Sequence, residues 1–262
     1  MTTASVGQER SAQVAGLNLQ YWEGGNGSPL VVIHHDIGSG GWSPFHDALA
    51  GSFHVLAPEL PGYGKSDRPN WARHPRDLAL LLGLWLDQLE LDDVVLVGLG
   101  FGGWLAAEMA VMRQRSLRRL VLVGAMGIKP SEGEIVDQML IDLPEYVEAG
   151  FANHDAYVQQ FGEEVSREQT LVWDYAREMT ARIAWKPYMF SHQLVHLLGG
   201  VQTPALVVWG RENSVVPLVC GEAYARALPN ATLALVDDAG LWVDLEQPEA
   251  LSRLIREHAG VA

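Results

Sequence analysis

The stretch Val94-Val95-Leu96-Val97-Gly98-Leu99-Gly100-Phe101-Gly102-Gly103-Trp104-Leu105-Ala106-Ala107-Glu108-Met109-Ala110 decides how this chain folds. A β-branched run meets a cluster of glycines, and an amphipathic run of Ala, Leu and Met follows. That order predicts a strand, a very tight turn and a helix. The turn has the frame G-x-S-x-G, in which a serine sits on a strained corner above a parallel sheet. The central residue here is Gly100, so the frame is present without its nucleophile.

Outward from this stretch, further strands and helices alternate. Leu30-Val31-Val32-Ile33-His34 is a continuous apolar run, as expected of a strand buried on both faces. Phe53–Pro58, Arg119–Val123, Thr203–Trp209 and Thr232–Val236 read the same way. Ser43-Pro44 opens a short helix with proline at its first position. Asp77–Leu89 and Pro248–His258 have helical spacing. Residues Ala12–Trp22 alternate around a glycine and predict an antiparallel hairpin. Strands alternating with helices imply the α/β class, a mostly parallel twisted sheet with helices on both faces. Between Met126 and Gly199 the chain turns more acidic, aromatic-rich and helical, with no strand. The expected organisation is a core of residues 1–125 and 199–262 and a helical lid of 126–198. Ligands of such sheets bind beyond the carboxyl ends of the strands, where an insertion of this kind would cover them.

Composition narrows the partners. The 262 residues carry a net charge of −14, which argues against nucleic acid and against an anionic membrane surface. Cys220 is the only cysteine, so no disulfide framework and no cysteine-based zinc site is expected. Met1–Arg10 is polar and lacks an apolar signal core, and no apolar run is long enough to cross a bilayer. The expected location is the cytoplasm, the expected partner a small molecule, and the expected assembly a monomer or homodimer. No cofactor is expected.

Five stretches in fixed order carry a resemblance over essentially the whole length. They are the His34 loop, Ala57-Pro58-Glu59-Leu60-Pro61-Gly62-Tyr63-Gly64-Lys65-Ser66, the Gly100 frame, Trp209–Pro217 and Ala239–Pro248. Together they resemble the α/β-hydrolase fold, and within it the small lid-bearing esterase, C–C hydrolase and haloperoxidase-like group. The resemblance implies a nucleophile elbow with serine, or aspartate in some branches, where this chain has Gly100. It implies an acid at Asn213 and a general base at Leu241. Glycine has no side chain, asparagine carries no charge to stabilise an imidazolium, and leucine accepts no proton. Nucleophile, base and orienter act as one unit, so the missing catalytic triad predicts that classical serine-hydrolase catalysis is absent. The family also has a glycine where this chain has His35, and an ionised Asp36 beside it would repel a developing oxyanion.

What remains is a pocket. Its expected walls are His34, His35 and Asp36 after the first buried strand, Gly100 and Phe101 at the turn, and Met126 after the next strand. Trp185, Met189 and His192 are expected from the lid, and Leu241 and Trp242 from the C-terminal loop. His192 and His196, four apart, would share a helix face and suit two metal ligands; with no H-E-x-x-H pattern, no metal is expected. Glu59 is expected to buttress the loop that follows it, and Asp237 and Asp238 to fix theirs. The sequence thus points to a pseudoenzyme that binds a small apolar carbonyl or carboxylate compound under a lid. Two other readings stay open. One is a non-hydrolytic enzyme of proton-transfer, lyase or decarboxylase type with His35 and Asp36 as acid and base. The other is a residual hydrolase that activates water directly.

Overall fold

The structure, a computed structural model, describes residues 7–261; the first six residues of the Met1–Arg10 reading lie outside the described residues. Chain order begins with the hairpin β1 (Gln8–Val14) and β2 (Leu17–Gly24), turning at Ala15 and Gly16, both at positive φ. Then come β3 (Ser28–Ile33), α1 (Pro44–Ala50), β4 (Phe53–Pro58), α2 (Pro75–Gln88), β5 (Val94–Leu99), α3 (Phe101–Arg113) and β6 (Leu117–Val123). A helical excursion follows, with α4 (Leu143–Ala149), α5 (His154–Phe161), α6 (Arg167–Ala184) and the one-turn α7 (Leu194–Leu197). The chain ends with β7 (Ala205–Gly210), α8 (Leu218–Ala227), β8 (Ala231–Val236), the short α9 (Val243–Glu246) and α10 (Pro248–Ala259). Among the described residues no helix is long and apolar enough to cross a membrane.

The eight strands form one sheet in the order β1-β2-β4-β3-β5-β6-β7-β8. β1 and β2 pair antiparallel, as does β2 with β4; every pair from β4 to β8 is parallel. The α/β-hydrolase-like architecture expected from the alternation is therefore present. Strand side chains alternate between two cores, as a pleated sheet requires. Val31, Ile33, Leu96 and Leu122 join the core under α2, α3 and α8. Leu30, Val32, Val97 and Val123 join the core under α1 and α10. Trp104 and Met109 belong to the first of these.

Chain direction across the sheet decides where a site can form. From β3 the chain steps outward to β4, then crosses back to place β5 on the other side of β3. The crevice beyond the carboxyl ends of β3 and β5 is this topological switch point. His34 follows β3 and Gly100 follows β5, so the loop and the turn singled out in the sequence meet there. The excursion packs over the same edge. Tyr63 Oη bonds Thr180 Oγ1 of α6 at 2.7 Å, and Leu241 N–H donates to Gly150 O, after α4, at 2.6 Å. That last contact needs bare backbone on both sides. A Cβ on Gly240 would fall 2.2 Å from Gly150 O, and one on Gly150 would fall 2.2 Å from Trp242 Nε1.

Candidate functional site

Gly100 sits on the sharp turn between β5 and α3 with φ at +52°, a conformation L side chains rarely adopt. The space beside it is filled. A Cβ on Gly100 would fall 2.5 Å from His35 Nδ1 and 3.4 Å from Cε1 of the same ring. His35 thus occupies the volume that a nucleophile would need, and glycine is the residue this contact permits. On its far side His35 donates from Nε2 to Asp244 Oδ1 at 2.8 Å, with both side chains buried. Nε2 therefore carries the proton. Nδ1 is buried without a hydrogen-bond partner. Trp242 packs edge-on against the ring, centroids 4.6 Å apart.

The expected His35–Asp36 pair is split. Asp36 turns away into the excursion, where its Oδ2 accepts from Tyr146 Oη and from Gln138 Nε2, each at 2.8 Å. It is fully buried, and burial raises its pKa above the ordinary carboxylate range against the pull of those donors. The partner of His35 is instead Asp244. Neighbours in sequence cannot share a target here because successive loop residues leave the strand end in different directions.

His34 is a strut. Leu60 N–H donates to its Nε2 at 3.0 Å, which puts the ring proton on Nδ1, and Nδ1 donates to His35 O at 2.6 Å. Burial lowers its pKa from 6.5 to about 4, so the ring is neutral. The other two expected triad positions converge at the end of β6. A Cβ on Gly124 would fall 2.9 Å from Leu241 Cδ1 and 3.5 Å from Asn213 Nδ2. Leu241 is fully buried. Asn213 Oδ1 accepts from the backbone N–H of Val215 and Val216, a turn-forming role.

An inner cavity of about 170 Å³ lies beside His35, on the Asp244 side. His34, His35, His46, Ser43, Asp244 and Trp242 supply its polar and aromatic wall, and Phe161 and Trp173 close it from the excursion. No lysine or arginine lines it. Of the expected walls, His34, His35 and Trp242 line this cavity. Asp36, Phe101, Met126, Met189 and Leu241 are fully buried and do not line it, and Gly100 lies behind His35.

Two expected residues lie elsewhere. Trp185 is 53% exposed, turned outward at the end of α6 with Lys186 Nζ over its ring. His192 is exposed in a turn and lines a separate groove with His74 and Pro187. The helix begins only at Leu194, after Ser191 Oγ accepts from Gln193 and Leu194 N–H, so His192 and His196 do not share its face. Among the described residues no group of three or more His, Cys, Asp or Glu is placed to hold a metal ion. Glu59 does brace its loop, accepting from Lys65 N–H at 2.6 Å and from Ser39 Oγ at 3.3 Å. The loop after β8 is fixed mainly by Glu212 and Glu246, which accept from the backbone of Ala239 and Gly240. Asp237 forms an exposed ion pair with Arg211.

Sequence reasoning missed Asp244 and His46. Asp244 has a usable signal, a carboxylate three residues beyond the vacant base position at the start of a helix. His46 has one too, a histidine inside a short helix whose neighbours Phe45 and Leu49 are core residues.

Comparison with known proteins agrees with this architecture. A 2-hydroxymuconate semialdehyde hydrolase of Pseudomonas putida is 28% identical over 279 residues, covering 94% of this chain and 92% of that protein. A 2-hydroxy-6-oxononadienedioate/2-hydroxy-6-oxononatrienedioate hydrolase of Burkholderia vietnamiensis is 27% identical over 261 residues, covering 92% and 90%. The crystal structure of a meta-cleavage product hydrolase superposes with a TM-score of 0.79 at 23% identity, covering 96% of this chain and 97% of the other. The model of the Alpha/beta hydrolase family matches residues 30–254. With that span matched and the sheet order observed, this chain belongs to the alpha/beta hydrolase family.

Proposed function

We propose that this chain binds a small uncharged carbonyl compound in the inner cavity and moves a proton on it, without serine-hydrolase chemistry. The observation that carries the reading is the buried His35–Asp244 pair, whose imidazole fills the nucleophile's place. Asp244 lines the cavity with one oxygen held by His35 Nε2–H. In this role it takes a proton from the carbon next to the carbonyl, and the electron pair passes to the carbonyl oxygen as an enolate. Return of a proton to the same carbon completes an exchange and return to a conjugated carbon completes a tautomerisation, each with nothing gained or lost. Such general-base catalysis contributes on the order of 10²–10⁴-fold. The excursion acts as the lid, since Phe161 and Trp173 close the cavity.

The relatives named above are hydrolases of 2-hydroxymuconate semialdehyde and of a 2-hydroxy-6-oxo dioate, and a dioate carries two carboxylates. A cavity with a carboxylate of its own and no lysine or arginine suits an uncharged compound better. The expectation of a carbonyl or carboxylate ligand therefore narrows to the carbonyl. The reading is tested with 4-phenylbut-3-en-2-one in D₂O, followed by proton NMR. The methyl signal is expected to wash out faster with protein than in buffer. An activated ester such as p-nitrophenyl acetate is expected to stay intact, and a fluorophosphonate to leave the chain unlabelled. Labelling at a serine would overturn the reading. So would exchange no faster than in buffer.

A further inference from the structure

Two observations beyond the His35–Asp244 pair describe what the cavity takes. The first is His46, at the third position of α1. Ser43 N–H donates to its Nδ1 at 3.1 Å, and Ser43 Oγ lies 2.8 Å from the same atom. A nitrogen that accepts a backbone N–H carries no proton, so the proton sits on Nε2. The ring is 6% exposed and forms part of the inner cavity's wall. It stacks on Trp42 at 5.2 Å, and burial leaves it neutral. No described residue accepts from that Nε2–H. The second observation is an outer groove of about 620 Å³ between the Gly38-Ser39-Gly40-Gly41 loop and α6. Gly38, Ser39, Gly40, Gln169 and Val172 line both spaces, so the groove adjoins the inner cavity. Its wall on α6 is apolar and open to water, with Leu171, Val172 and Tyr175 at 58, 45 and 40% exposure.

We infer that His46 Nε2–H is the hydrogen-bond donor to the carbonyl oxygen of an uncharged, apolar-tailed carbonyl compound, with the carbonyl head in the inner cavity and the tail in the outer groove along α6. This rests on the reading that the cavity holds a carbonyl ligand, and it supplies the electrophile which that reading lacks. A neutral imidazole is suited to the task because it donates without first surrendering a proton to water. Asp244 and His46 both line the cavity, which brings an acceptor and a donor within reach of one ligand.

The test uses 4-dimethylaminocinnamaldehyde, whose long-wavelength absorbance moves to the red when its oxygen accepts a hydrogen bond and which has no enolisable proton. Added to the intact protein, it is expected to bind with a red shift. His46→Phe is expected to keep binding within about threefold and lose the shift, and His46→Gln to restore part of it. Val172→Trp, which narrows the neck, is expected to weaken binding tenfold or more. An unchanged shift in His46→Phe overturns the inference, as does a probe that fails to bind wild type. Should the His46 variants not fold, nitrogen-15 NMR of the wild-type ring decides. A neutral Nε2–H tautomer whose resonance moves on probe binding supports the inference, and an Nδ1–H tautomer or an unmoved resonance overturns it. Failure of the underlying reading is seen separately. If the shift depends on His46 while 4-phenylbut-3-en-2-one shows no exchange, carbonyl binding stands and proton transfer falls.

Discussion

At the residue scale, the site turns on three buried histidines, each held by a different partner. His35 is held by Asp244, and His34 and His46 are locked as neutral tautomers by backbone donors. Burial depresses both of the latter from 6.5 to about 4. The unfolded chain therefore takes up these two protons first as pH falls. Stability from the two rings is complete above about pH 6.5 and drains between there and about 4, on the order of 3 kcal/mol for each ring. In urea denaturation across that range, His46→Gln should lower the slope of stability against pH by about one proton relative to wild type. An unchanged slope would contradict the assignment. Asp36 has the opposite sign. Its raised pKa means that the folded chain prefers the protonated acid, so the ionised form weakens the fold as pH rises through that value. Asp36 Oδ1 and Gln138 Oε1 are both buried without partners. An amide in place of the acid supplies a donor and removes the charge, so Asp36→Asn should stabilise the protein by about 1–2 kcal/mol at neutral pH. The gain should vanish in acid, as thermal melts at two pH values would show. The glycine at the centre of the turn, Gly100, was legible in the sequence. The partner of His35 was not, because Asp244 lies 209 residues away and only the closed sheet brings them together.

At the element scale, periodicity predicted most of what is observed. The runs expected at 30–34, 53–58 and 119–123 are β3, β4 and β6, because strands covered on both faces leave an unbroken apolar signature. Boundaries moved where caps act at a distance of one or two residues. Helix α2 starts at Pro75, since His74 Nδ1 accepts from Arg76 N–H and Asp77 reaches back to His74 N–H. The histidine pair in the excursion failed for the same reason, with Ser191 starting the helix later than spacing alone suggests. One pair of elements also depends on a charge that no pattern shows. Glu108 of α3 is fully buried and is held by Arg76 of α2 at 2.8 Å and by Trp104 Nε1 at 3.3 Å. Arg76→Ala should cost about 3 kcal/mol by stranding that carboxylate, and adding Glu108→Gln should recover most of it. Equal stabilities of the two variants in urea would contradict this.

At the scale of the whole molecule, the strand order sets the site and the loops decide what it does. That a ligand would meet the carboxyl ends of the strands was foreseeable from alternation, whereas the switch point that sets β5 beside β3 is a matter of strand order that alternation does not give. Which of the two faces of His35 opens on a cavity was not foreseeable either, because it depends on how the excursion closes over the sheet. Glycine suits the positive φ of the turn after β5, and the loop after β3 places beside it an imidazole that Asp244 holds. The claim to test is that this pair moves protons. Exchange of the methyl protons of 4-phenylbut-3-en-2-one into D₂O should be faster with the wild-type chain than in buffer, and Asp244→Asn should lose that acceleration by about 10²-fold while the variant remains folded. Equal exchange by Asp244→Asn and wild type would contradict the account.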